Sequence, residues 1–350
     1  MKTTTTRVIC FSIVNLFIFN IFSQVQVLPK LRNTYSDYAP LIDSTTMITH
    51  HSVFHKNYVD CLNESLKGTK KMNEKLNNIL LNISYYNNKS IRYNAGGHYN
   101  HSLYWEILSP NSSNNISEAL SNQITKDFIS LDLLKQEMKR ALKAQIGSGW
   151  VWLIISPKGK LMVTSTQNED NPIMDVVKER GVPVIGIDNW EHAYYSRYKK
   201  NKEDYFNAIW QLIDWEIVSE KFITAIGSDV FESIKMDNWP ELKVYKDVMS
   251  HSYHAAESGD LNALRSLSKE FMLYSIYLRN SKIPNEFNDE KTIKALVKLQ
   301  KQSLEIHELC LNNEADKVLL KKILEAHNTF HLIQGVCKHH DEHYHHFNAR

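Results

Sequence analysis

Apolar side chains recur at three- and four-residue steps along most of the chain. Only in a short middle stretch do they run at alternate or consecutive positions. Met47, Phe54, Tyr58 and Leu62, with His50 among them, form one such stripe, which predicts a helix. Asp43 or Ser44 just upstream is a good N-cap for it. Residues 67–81 predict a second helix, broken by the Asn-rich segment near Tyr86. A third is expected to open after Gly96-Gly97, to carry residues 98–108 and to stop at Ser109-Pro110-Asn111. Residues 116–146 read as further helix.

The pattern then changes. Residues 150–155, 161–165 and 182–187 are β-branched or aromatic runs bounded by Gly, Pro and Asn, which predicts about three strands. Helical spacing returns from Glu191. Residues 28–224 thus read as an all-α hairpin, over 28–115, followed by an α/β segment over 116–224. Residues 225–238 read as a linker. Beyond it, residues 241–258, 261–281, 290–312 and 316–336 predict four amphipathic helices, an up-and-down bundle spanning 239–337. Residues 338–350 form a His-rich tail.

With 350 residues, the chain is long enough for two domains. A net charge of +2, with acidic and basic residues interleaved, argues against nucleic acid as a partner. The first 23 residues resemble a secretory signal: Lys2 and Arg7, an apolar stretch over 8–22, then Ser23 before the expected cut. An uncleaved anchor is the other reading of that segment. Cleavage would leave Cys61, Cys310 and Cys337, an odd count, so disulfides do not staple this fold. Export to the periplasm or beyond, with no membrane span left after cleavage, is the expectation.

Histidine is the unusual component: there are 16, and they are clustered. His98 and His101 flank one helix start, and Asp188 and His192, four apart, follow a strand. With His50 they offer three imidazoles and a carboxylate, a set suited to Mn, Fe or Zn. Singly, each His on an apolar stripe is more often a satisfied core residue than a ligand.

Gly-Gly-His-x-Asn-His-Ser-Leu-Tyr-Trp (96–105) and Asp-x-Trp-Glu-His-Ala-Tyr-Tyr (188–195) resemble the two signatures of the iron/manganese superoxide dismutases. Gly-Ser-Gly-Trp-Val-Trp-Leu (147–153), His-His-x-x-x-His-x-x-Tyr (50–58) and the opening around Leu28, Tyr35, Pro40 and Asp43 match as well, all in family order. The resemblance implies an α+β protein: an N-terminal α-hairpin and an α/β domain with a three-stranded antiparallel sheet. The all-α bundle that follows is not typical of the family. It further implies that His50, His101, Asp188 and His192 hold one Mn or Fe ion, with solvent as a fifth ligand. Tyr58, Glu169, Trp190 and Glu191 would stand around it. Tyr58 would be the gateway phenol, and Glu191 would bridge to the partner's metal site in a homodimer. The implied reaction turns superoxide into dioxygen and hydrogen peroxide by alternate reduction and oxidation of the ion. Zinc, with one accessible oxidation state, could not serve.

Around the ligands the sequence departs from the family. Phe54 stands where a His is usual, which would deprive Tyr195 of its partner across the dimer. Glu169 stands where manganese members carry Gln. An ionised Glu only accepts hydrogen bonds, whereas the amide donates to metal-bound solvent; burial could keep Glu169 protonated. Gly97 leans towards manganese, and Lys202 replaces the more usual Arg. The alternative to an active dismutase is a metal-binding relative with little turnover because of Glu169 and Phe54.

In the extension, His251 and His254, His307 and Cys310, and His327 and His331 form pairs three or four apart, each pair on one helix face. Convergence of these pairs on a second metal is one expectation; ordinary packing histidines in a structural or dimerisation bundle is the other. The tail over 339–346 could bind copper, zinc or nickel loosely.

Overall fold

Asp43 caps the first helix in the computed structural model, which describes residues 26–69 and 71–334. Its carboxylate accepts from the Thr46 backbone N–H at 2.9 Å. The helix Ser44–Ile48 widens into π-helical turns over Thr49–His55, then continues as Lys56–Leu66. His50, His51 and His55 all lie buried in that wide segment. Single π-turns within α-helices often mark functional sites.

The next two helices differ from the expectation. The second covers only Leu76–Leu81, because the chain turns out of helix at Gly68, where φ is +74°. After a short helix at Ile83–Tyr86, the expected third helix runs over Lys89–Ile107, capped by Asn88, and passes straight through Gly96-Gly97. The glycines do not start this helix; they let neighbours approach it. A Cβ on Gly96 would lie 1.9 Å from the Glu169 carbonyl oxygen, and one on Gly97 would lie 2.5 Å from the Tyr58 ring.

Residues 116–146 divide into Glu118–Phe128 and Leu131–Ala144, separated at Ile129 and capped by Ser117 and Ser130. The sheet follows. Strand β1 (Gly149–Ile155) lies between β2 (Leu161–Gln167) and β3 (Val182–Asp188), antiparallel to both. Every residue of β1 is buried, as expected of a central strand covered on both faces. Its register sets Trp150 opposite Asp188. Helices Glu191–Tyr198, Lys202–Leu212 and Trp215–Ala225 complete this half. The chain is thus an α+β protein whose main core, with Tyr104, Trp150, Trp152, Tyr205 and Phe206, joins the hairpin to the sheet.

The stretch expected as a linker contains a helix, Asp229–Asp237, capped by Ser228. Its Val230 and Ile234 pack with Leu62, Ile79, Leu80 and Ile91 of the hairpin, and Asp237 pairs with Arg180. Apolar residues at one-turn spacing, not flexibility, govern this segment. Helices Pro240–Glu257, Asn262–Asn280, Glu290–Leu311 and Asp316–Gln334 come next. Each packs on the following one and the last returns to the first, around a separate core containing Tyr245, Phe271, Leu299 and Phe330. Among the described residues no helix is long and apolar enough to cross a membrane. The expected signal, residues 1–23, and the His-rich tail, residues 338–350, lie outside the described residues.

Candidate metal centre

Two elements of the hairpin, the end of β3 and the helix that follows it converge on one point. The wide turns over Thr49–His55 present His50, and the glycine-containing helix presents His101. Asp188 ends β3, and His192 sits on the first turn of helix Glu191–Tyr198. One donor atom from each of the four lies within 4.8 Å of all the others. Asp188 Oδ2 is 3.0 Å from His50 Nε2, 3.1 Å from His192 Nε2 and 3.6 Å from His101 Nε2. The first three side chains of the set, His50, His101 and Asp188, are at most 2% exposed, and His192 is 12% exposed.

The protonation pattern shows what the cluster would accept. His101 Nδ1 lies 2.7 Å from the Gly97 carbonyl and must carry a proton to donate to it. In the neutral ring, Nε2 is then a bare lone pair. It is buried without a hydrogen-bond partner and faces the carboxylate of Asp188. Burial, and then neighbouring His50, keeps His101 well below the usual imidazole pKa, so the ring is neutral. Burial likewise lowers His50 to about 4, although Asp188 opposes the shift. Burial would raise Asp188, but His192 and His50 outweigh it and hold the carboxyl well below its usual range. A lone pair and an anion face one another in a dry space, an arrangement that a cation between them would stabilise. The donor set therefore fits a first-row transition metal.

Glu169 lies beside this point, 1% exposed. Tyr58 donates to its Oε1 at 2.9 Å, and Trp150 Nε1 and Asn100 Nδ2 donate to its Oε2 at 2.9 and 3.0 Å. Burial foremost, then the charge on Asp188, pushes Glu169 well above the usual carboxylate pKa despite those donors. Burial and Glu169 raise the Tyr58 phenol as well. Trp190 stacks on His192 with centroids 5.8 Å apart, and Glu191 is exposed at the mouth. Phe54 also stacks on His192, and Tyr195 is exposed.

Asn100 was not singled out from the sequence, although it lies inside the Gly-Gly-His motif. It accepts from Asn171 at 3.0 Å and carries that contact to Glu169. A second unforeseen chain runs from Trp105 Nε1 to His55 Nδ1 (3.0 Å) and from His55 Nε2 to His98 Nδ1 (2.9 Å). The polar residue types in the motif were the only signal for either.

The three pairs in the extension do not converge. His251 Nδ1 contacts the Asp247 carbonyl, His307 Nδ1 contacts Ser268, and His327 stacks on Tyr253. Among the described residues, His50, His101, Asp188 and His192 are the only such group of three or more potential ligands. The pairs are used locally, each by its own helix or its nearest neighbour.

Comparison with known proteins agrees with this geometry. The α-hairpin domain of iron/manganese superoxide dismutases matches residues 26–109, and the C-terminal domain of the same enzymes matches residues 116–221. A superoxide dismutase (Mn) of Acinetobacter baylyi is 45% identical over 189 residues, 53% of this chain and 82% of the relative. A superoxide dismutase (Mn/Fe) of Methylomonas sp. (strain J) is 36% identical over 203 residues, 57% of this chain and 98% of the relative. A superoxide dismutase (Mn) of Buchnera aphidicola is 37% identical over 201 residues, 56% of this chain and 96% of the relative. The helices beyond Ala225 fall outside both family-model matches. With both halves of the fold matched in order and four potential ligands closing on one point, the chain belongs to the iron/manganese superoxide dismutase family.

Proposed function

We propose that the protein is a superoxide dismutase that converts superoxide to dioxygen and hydrogen peroxide, with His50, His101, Asp188 and His192 holding one manganese or iron ion. The observation that carries this is the buried, unpartnered His101 Nε2 facing the Asp188 carboxylate. When bound, the ion supplies a one-electron couple between two oxidation states.

The side chains supply position, dryness and protons. His101 is fixed by the Gly97 carbonyl, so its ligating nitrogen needs no reorientation. Peroxide formation consumes two protons, and Glu169 and Tyr58 lie beside the centre to relay them. Glu169 Oε2 already accepts from Trp150 and Asn100, so a proton on that carboxyl belongs on Oε1, facing Tyr58. In that form Glu169 donates to the phenol oxygen and the Tyr58 proton turns away from it. That single proton stands in for only one of the two N–H donors of a Gln amide, the one towards Tyr58. The four-ligand group and the relatives named superoxide dismutases favour an active enzyme over a metal-binding relative with little turnover.

Homodimerisation through the mouth of the site is part of this reading. Its support is exposed Phe54, which stacks on His192, with exposed Glu191 and Tyr195 on the helix that carries His192. Export to the periplasm or beyond is supported by the signal-like pattern of residues 1–23. The deciding experiment is reconstitution with manganese or iron, followed by metal analysis and a superoxide-removal assay. One ion per chain with turnover is expected, and His101→Ala should abolish both. Full metal occupancy with negligible turnover would overturn the assignment. N-terminal sequencing of the mature protein and its mass in solution test export and dimerisation.

A further inference from the structure

The four potential ligands are not held equally well. His101 is anchored by the Gly97 carbonyl at 2.7 Å. His50 lies among Trp105, Tyr104 and His101, with ring centroids 4.7, 5.6 and 5.0 Å away, and is 2% exposed. Asp188 ends a buried strand; its Oδ1 accepts from the Trp190 N–H at 2.7 Å, and its backbone carbonyl accepts from Tyr205 at 2.7 Å. His192 is the most exposed of the four, on the first turn of a short helix. Its Asp188 contact lies on the ligating nitrogen itself. Within one protomer, aromatic rings flank its plane: Phe54 stacks on it at 4.6 Å with 24° between planes, and Trp190 at 5.8 Å with 17°.

Phe54 comes from the wide turns of the hairpin and His192 from the sheet half, so the stack crosses the junction that the metal would bridge. Resting on the dismutase reading above, we infer that Phe54 is a positioning residue, whose ring holds the His192 imidazole in its ligating orientation and shields it from competing solvent. The phenyl ring carries no polar group and can only pack. At 36% exposed in the single chain, it lies outside the buried core, and in the proposed dimer it would lie at the contact, so release is compared among variants of equal mass in solution.

The test compares the full-length, manganese-loaded protein with Phe54→Ala, Phe54→Leu and Phe54→Tyr. Loss of manganese to excess EDTA is followed with time, alongside thermal unfolding of the metal-free proteins. Phe54→Ala should release metal roughly tenfold faster, the scale of one aromatic contact. Phe54→Tyr should release near the wild-type rate, and Phe54→Leu should fall with Ala, while the metal-free melting temperatures stay together. Equal release rates for wild type and Phe54→Ala would overturn the inference alone. So would Phe54→Leu matching wild type, because bulk rather than stacking would then suffice. A wild-type protein that binds no manganese or iron would instead overturn the metal-site reading on which the inference rests.

Discussion

A buried carboxyl with three donors aimed at it, and an anion nearby, must settle which influence wins. At Glu169 burial and Asp188 outweigh Tyr58, Trp150 and Asn100, so the proton is held to higher pH than on an ordinary carboxyl. A folded-state pKa above the unfolded one means that folding takes up a proton. Glu169 therefore costs stability as pH rises above the ordinary carboxylate range. Glu169→Gln keeps the acceptor for Trp150 and Asn100 and removes the titration. The metal-free variant should melt higher than wild type at pH 7, with the gap closing at pH 4. A lower melting point at pH 7 would mean that the donors stabilise an ionised Glu169. The buried histidines act in the opposite direction. His50 and His98 fall from 6.5 to about 4, mainly by burial. The unfolded chain then binds more protons between those values, so their contribution is complete above pH 6.5 and lost as pH falls towards 4. Each accounts for about 3 kcal/mol at most. His98→Gln should flatten the acid side of the stability profile of the metal-free protein, measured by urea unfolding from pH 7 to 4.

Within single elements, the glycine helix shows how the site constrains the backbone. Gly96→Ala would drive a methyl group into the Glu169 carbonyl oxygen, a backbone atom that cannot rotate away. The cost should reach about 3 kcal/mol or more, typical of severe overpacking, and the displaced Glu169 should impair turnover. Melting temperature and dismutase activity of the metal-loaded variant check this; an unchanged protein would show that the helix can shift. The same glycines explain one limit of the sequence pattern. Gly-Gly looks like a break because spacing reports only the helix's own preferences, whereas here tertiary contact selects the residue. The three strands were legible because their β-branched and aromatic runs have turn residues at both ends. All four proposed ligands were legible from motif and order. The wide turns that seat His50, and the Asn100–Asn171 link, were not, since neither leaves a periodic trace.

For the whole molecule, the segment between the two cores matters most. Val230 and Ile234 on helix Asp229–Asp237 complete the small core beneath the hairpin. Ending the chain after residue 226 would expose that surface, whereas ending it after residue 238 would keep it covered. Burying one such side chain is worth about 1.5–3 kcal/mol, so the shorter chain should lose several kcal/mol relative to the longer. Denaturant unfolding of the two chains measures the difference, and equal midpoints would show the helix to be dispensable. Periodicity found the four helices of the bundle but not this fifth one, because nine residues between a Gly turn and a Pro start resemble a connection.

The proposed ligands are shared evenly, two from the hairpin and two from the strand end and its following helix. Neither half offers more than a pair, which makes a poor chelate. During synthesis the hairpin leaves the ribosome first, carrying His50 and His101 with nothing opposite them. Capture of the ion must wait until the second half has docked, so the order of the genetic message itself delays metallation until both halves of the dismutase fold are made, with the helical bundle still to follow.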